Sequence, residues 1–138
     1  MSVGLLIITH GDIGADILKT ATRVLGGCPL RAETLAVTEE SHRDILELDA
    51  LKLAQQVDTG EGVLILTDLF GSTPANIARS LQMRPSVRVL TGVNLPMLVR
   101  LFNYAHLPLA EIAAKAASGG KDGVVVCGEP ERRGGGAQ

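Results

Sequence analysis

The chain has 138 residues, 46% hydrophobic, 2% aromatic and 20% charged, with a formal net charge of -2. That size suits one domain whose core needs neither metal nor disulfide, and the apolar content excludes a disordered chain. The balanced charge and the shortage of aromatic rings argue against polybasic docking on DNA or an anionic membrane, and against base stacking on single-stranded nucleic acid.

Val3 to Thr9 is a continuous apolar run that predicts a strand buried on both faces, as in a parallel sheet. No basic segment precedes it, no cleavage pattern comes after it, and neither it nor any other run is long enough to span a membrane. The expectation is a soluble cytoplasmic domain. Asp12 to Leu25 carries Ile13, Ile17, Ala21, Val24 and Leu25 at helical spacing, closed by Gly26-Gly27. Leu30 to Val37 is a second, weaker strand, and Thr38 to Ser41 a loop. Ser41 and Asp44 resemble a capping box for a helix running to about Val57.

Gly60 to Gly62 turns the chain into a third buried strand, Val63 to Thr67. Asp68 to Thr73 is a loop, and Pro74 sits where a helix takes a proline in its first turn, with Ile77, Ala78 and Leu81 facing inward. Val87 to Leu90 is a fourth strand, Thr91 to Asn94 a loop, and another helix starts near Pro96. Pro108 opens a helix over Leu109 to Ala117, ended by Gly119-Gly120, and Asp122 to Cys127 reads as a short final strand. The Gly-rich segment 129–138 is expected to be a flexible tail behind a single domain over 1–128. The alternation predicts an α/β fold: a doubly wound, mostly parallel four-stranded sheet flanked by helices. Cys28 and Cys127 form no CxxC and read as a small buried hydrophobe or a loop thiol.

In such folds ligands bind beyond the carboxyl ends of the strands. Three loops are therefore expected to converge there: Thr9 to Asp12, Asp68 to Thr73, and Thr91 to Asn94. His10 ends a central strand. A neutral imidazole offers one lone pair as a nucleophile while its other nitrogen carries a proton, and an acceptor beside that N–H fixes the tautomer. Asp68 is placed for that role. Asp12 competes for it, although it also suits the cap of the first helix.

Gly71, Ser72 and Thr73 lead into a helix N-terminus, whose free N–H groups and dipole favour a phosphate. Each piece has a plainer use: a hydrogen-bonded structural histidine, a turn-forming aspartate, a Ser or Thr N-cap. His42 and His106 read as solvated surface residues. No His/Cys/Asp spacing assembles a metal shell, and neither a Walker A lysine pattern nor GxGxxG is present, so neither metal nor cofactor is expected.

Thr9-His10-Gly11, the segment Leu66 to Asn76 (LTDLFGSTPAN) and the segment Thr91 to Leu98 (TGVNLPML) together resemble the IIA component of the mannose-family sugar phosphotransferase system (PTS), from about Val3 to Cys127. The resemblance implies a phosphotransferase in which His10 attacks through Nε2. The histidine is phosphorylated by HPr and passes the group to a IIB domain. It implies that Asp68 hydrogen-bonds the histidine and that Gly71, Ser72 and Thr73 form the phosphate-binding loop. A homodimer with the C-terminal strand exchanged between subunits is also implied. The family often has a second glycine where Ser72 stands and an aromatic where Ala75 stands, two departures placed near the partner-docking surface. No IIB segment comes after the IIA region, so the expected acceptor is a separate protein. Alternatives are a regulatory phosphorylation switch without sugar transport, or a phosphoryl donor to a dihydroxyacetone kinase.

Overall fold

The first apolar run forms β1 (Gly4–His10), and every residue in it except His10 is buried. Parallel neighbours on both sides account for its lack of polar alternation: β2 (Ala32–Val37) on one edge and β3 (Val63–Thr67) on the other. β4 (Val87–Leu90) pairs with β3, giving a parallel sheet of order β2-β1-β3-β4. The computed structural model describes residues 2–128, so the expected tail over 129–138 lies outside the described residues. Its helices are α1 (Ile13–Leu25), α2 (Arg43–Val57), α3 (Thr73–Leu81), α4 (Leu95–Asn103) and α5 (Leu109–Asp122).

Alternation along the strands divides the core into two layers. Val3, Leu5, Ile7, Leu64 and Leu66 pack with Ala21 of α1, Leu98 and Leu101 of α4 and Ile112 of α5. Leu6, Ile8, Val63 and Ile65 pack with Leu46 and Ala50 of α2 and Ile77 and Ala78 of α3. Each fully buried Leu or Ile contributes about 1.5–3 kcal/mol, so these two layers are the main apolar contribution to the fold. β1 leads to β2 on one side while β3 lies on its other side. That reversal opens a crevice at the carboxyl ends of β1 and β3.

Four local expectations change. Gly119 and Gly120 do not end the last helix; α5 runs through them to Asp122. They are contact points: a Cβ at Gly119 would stand 2.4 Å from Arg100 Cβ, and one at Gly120 2.8 Å from Met97 Cε, so their small size lets α5 approach α4. Asp122 to Cys127 forms no strand in the single chain: Asp122 is helical, and Val124, Val125 and Val126 belong to no helix or strand and are 77%, 70% and 69% exposed. No strand among the described residues pairs with them.

The capping box is absent. Ser41 lies before the N-cap, and its hydroxyl oxygen accepts from the Thr38 N–H at 3.0 Å, which closes the loop ahead of α2. In α1 the buried positions are Gly14, set against Ile7 and Thr9 of β1, and Ala21, whereas Ile13 and Val24 are exposed.

Candidate functional site

β1 delivers His10 to the carboxyl edge of the sheet as its last residue, and β3 delivers Asp68 one residue beyond its own end. Because the two strands are neighbours, the side chains meet: His10 Nδ1 lies 2.9 Å from Asp68 Oδ2. The same carboxylate oxygen accepts the His10 backbone N–H at 3.1 Å. An ionised carboxylate only accepts hydrogen bonds, so this contact assigns the ring proton to Nδ1 and leaves the lone pair on Nε2. The histidine side chain is 50% exposed and the aspartate 13%.

The more shielded partner thus orients the accessible one. Asp68 Oδ1 and Thr67 Oγ1 are buried with no hydrogen-bond partner among the described residues. Asp12, the competing acceptor, sits at the N-cap of α1 but its carboxylate caps nothing. The first free N–H of that helix to be satisfied is that of Gly14, which donates to Thr9 Oγ1 at 2.8 Å.

The loop after β3 is held by Leu69, whose carbonyl accepts the Ser72 hydroxyl at 2.6 Å and the Ser72 N–H at 3.3 Å. Gly71 adopts φ +82°, a conformation that glycine takes without strain. Ser72 then occupies the N-cap position of α3 with extended backbone, and its carbonyl accepts the Asn76 N–H. Both Ser72 donors are therefore used inside the loop, whereas Thr73 is exposed and lines a cleft of about 600 Å³ shared with His10. Proline stands at position 74, so the first turn of α3 has one N–H fewer than usual. Ala75, placed near a docking surface from the sequence, is fully buried. It packs beneath the helix start and has no face to offer a partner.

The opposite wall of the cleft comes from the segment after β2, with Thr38, Glu39 and Glu40. Pairing of His10 with Val37, and a Gly11 N–H bond to the Val37 carbonyl at 2.9 Å, bring that segment beside the histidine. The expectation of three converging loops leaves out the segment after β2, and with it these glutamates. The rule about strand ends is itself sufficient to find them.

The loop after β4 does not join the cleft. Thr91, Gly92 and Asn94 line a separate depression with Gly120 and Lys121, since β3 stands between β4 and β1. There Asn94 caps α4 by accepting the Met97 N–H at 2.9 Å and donates to the Gly120 carbonyl at 3.1 Å. His42 and His106 are exposed and outside the cleft. Among the described residues no group of three or more His, Cys, Asp or Glu could hold a metal ion.

A family model described as "PTS system fructose IIA component" matches residues 4–117. The chain belongs to the mannose family of PTS IIA components. It is 32% identical over 127 residues to the mannose-specific EIIAB component of Escherichia coli strain K12, covering 90% of this chain and 39% of that one. The chain thus spans about two fifths of the length of that curated relative. It is also 34% identical over 114 residues to the transcriptional regulatory protein LevR of Bacillus subtilis strain 168, covering 80% of this chain and 12% of the regulator.

Among solved structures, the mannose/sorbose-specific IIA subunit from Enterococcus faecalis superposes with a TM-score of 0.82 at 25% identity, over 96% of this chain and 99% of that one. This IIA component therefore has the fold of its relatives, with His10 and Asp68 in contact at the sheet edge. No helix among its described residues is long and apolar enough to cross a membrane.

Proposed function

We propose that this IIA component is a cytoplasmic phosphocarrier of the phosphoenolpyruvate-dependent sugar phosphotransferase system. His10 accepts a phosphoryl group from phospho-HPr and passes it to a IIB-type acceptor. The observation that carries this reading is the 2.9 Å contact between His10 Nδ1 and Asp68 Oδ2. With the proton held at Nδ1, Nε2 presents its lone pair on the half-exposed side of the ring.

In the transfer, the Nε2 lone pair forms a bond to phosphorus. The phosphorus–nitrogen bond to the donor imidazole breaks, and its electron pair returns to the donor ring. The His10 ring becomes positively charged while Nδ1 keeps its proton, and the Asp68 carboxylate balances that charge. Transfer to the acceptor repeats these events with His10 as the leaving group. Little else is required, because phosphoryl transfer depends on positioning and charge stabilisation.

Thr73, through its hydroxyl and N–H at the start of α3, is the foremost contact for the phosphoryl oxygens. Gly71 and Ser72 shape the loop that presents it: the Ser72 N–H and hydroxyl hold the turn on the Leu69 carbonyl, and the Gly71 amide completes the phosphate-binding segment. We further propose that the chain forms a homodimer by exchanging the segment 122–127. Three consecutive exposed valines there have no strand partner among the described residues of the single chain.

A second reading keeps phosphorylation of His10 but uses it as a regulatory charge switch. The similarity to LevR favours it. The discriminating experiment incubates the protein and its His10→Gln variant with phosphoenolpyruvate, enzyme I and HPr, then adds a purified IIB protein. Intact mass should show one phosphate on the wild type, none on His10→Gln, and loss of the label to IIB. A label that forms but does not move to any IIB protein supports the switch. A label on His10→Gln contradicts both readings.

A further inference from the structure

We infer that Glu39 and Glu40 hold a phosphoryl group on His10 at high transfer potential, by crowding it with negative charge that this chain does not neutralise. The inference rests on the phosphocarrier reading of the same cleft.

Both glutamates are exposed on the wall that faces His10 and Thr73. Neither is in an ion pair among the described residues; the pairs between full charges are Arg43–Glu47 and Arg100–Asp122, and His10 meets Asp68. No lysine or arginine among the described residues lines the cleft. The wall is held close to the histidine by backbone, through the β1–β2 pairing of His10 with Val37 and the Gly11 N–H bond to the Val37 carbonyl.

A phosphoryl group adds about -1.5 to -2 of charge. Against it stand the positive ring of phosphorylated His10, already paired with Asp68, the Thr73 hydroxyl, and about half a positive charge at the start of α3. The phosphorylated state therefore carries a surplus of negative charge that the free protein does not. Like charges at close range raise the free energy of that state, and solvent salt screens the effect. The glutamates make and break no bonds. They set how readily the group leaves, and so bias His10 toward handing on phosphate and away from storing it.

The test measures the equilibrium constant for phosphate exchange between phospho-HPr and this protein by intact mass, for the wild type and for the Glu39→Gln/Glu40→Gln double variant. Glu61→Gln/Glu111→Gln is the control. It removes the same net charge at the opposite end of the sheet, where Gly62 meets Leu109. The double variant should shift the equilibrium toward phosphorylated IIA component by about fivefold at low ionic strength. At 1 M salt, where the screening length is about 3 Å, the shift should shrink to twofold or less.

If the double variant does not fold, judged by circular dichroism, Glu39→Gln and Glu40→Gln alone should each shift the equilibrium about twofold. An unchanged constant, or an equal shift in the control, overturns the inference and leaves the phosphocarrier reading standing. A wild type that takes up no phosphate overturns both.

Discussion

One oxygen of Asp68 binds His10 twice, through the ring Nδ1 at 2.9 Å and through the backbone N–H at 3.1 Å. The carboxylate thus fixes both the rotation of the ring and the position of the residue that carries it. Replacing Asp68 with Ala removes the acceptor, so the ring is free to rotate and to exchange tautomers. Transfer from phospho-HPr to His10 should slow by about 100-fold or more, within the range of a positioned acid–base partner. Nitrogen-15 spectra of the histidine ring should show the fixed Nδ1–H tautomer in the wild type and a mixture in the variant. A variant that keeps both the rate and the single tautomer would move the orienting role away from Asp68.

Ser72 and Thr73 should separate in their effects although they are neighbours. The Ser72 hydroxyl is bound at 2.6 Å to the Leu69 carbonyl, whereas Thr73 lines the His10 cleft. Thr73→Ala should lower the transfer rate by roughly 10- to 150-fold, the loss of one hydrogen bond to a charged group. Ser72→Ala should change the rate less and lower stability by about 1 kcal/mol through the loosened loop. Stopped-flow phosphate exchange and thermal melts on the two variants check the order. A Ser72→Ala protein slower than Thr73→Ala would reverse it.

Much of this site is legible in the amino-acid sequence because the strands are strong signals. β1 and β3 are unbroken apolar runs that lead directly to His10 and Asp68. The choice between Asp68 and Asp12 as the partner of the histidine stays open in the sequence, since it depends on strand order. β3 lies directly beside β1, which brings Asp68 to the ring. β2 is weaker, with most of its residues half-buried at an edge of the sheet, so nothing in its pattern draws attention to the glutamates beyond it. The Gly119-Gly120 pair misleads for a different reason. A glycine pair after an apolar helix looks the same whether it ends the helix or lets another helix approach. The deciding partner, Arg100, lies 19 residues away in the chain.

That difference has a measurable sign. At an exposed position inside a helix, Gly→Ala stabilises by up to about 1 kcal/mol. Gly119 is buried, and an added Cβ would meet Arg100 Cβ at 2.4 Å, the root of that side chain and not its flexible end. Gly119→Ala should therefore destabilise by roughly 1–3 kcal/mol, the ordinary penalty of overpacking, despite the gain in helix propensity. Urea denaturation gives the difference directly. A variant as stable as the wild type, or more so, would mean that α5 does not press on α4 at this point.

The valines 124–126 allow the proposed dimer to be tested by the period of a strand. Their side chains are exposed in the single chain, in an apolar run directly after α5. If the segment pairs along a partner's sheet, Val124 and Val126 point to one face and Val125 to the other. One face then packs on the partner, and a glutamate placed there must be buried without a counter-charge, which weakens association strongly. Light scattering across a dilution series should show a dimer for the wild type. The Val124→Glu/Val126→Glu variant and the Val125→Glu variant should differ, the one on the buried face dissociating at a concentration at least about 100-fold higher. Equal, small effects from both would mean that the segment does not pair as a strand between subunits.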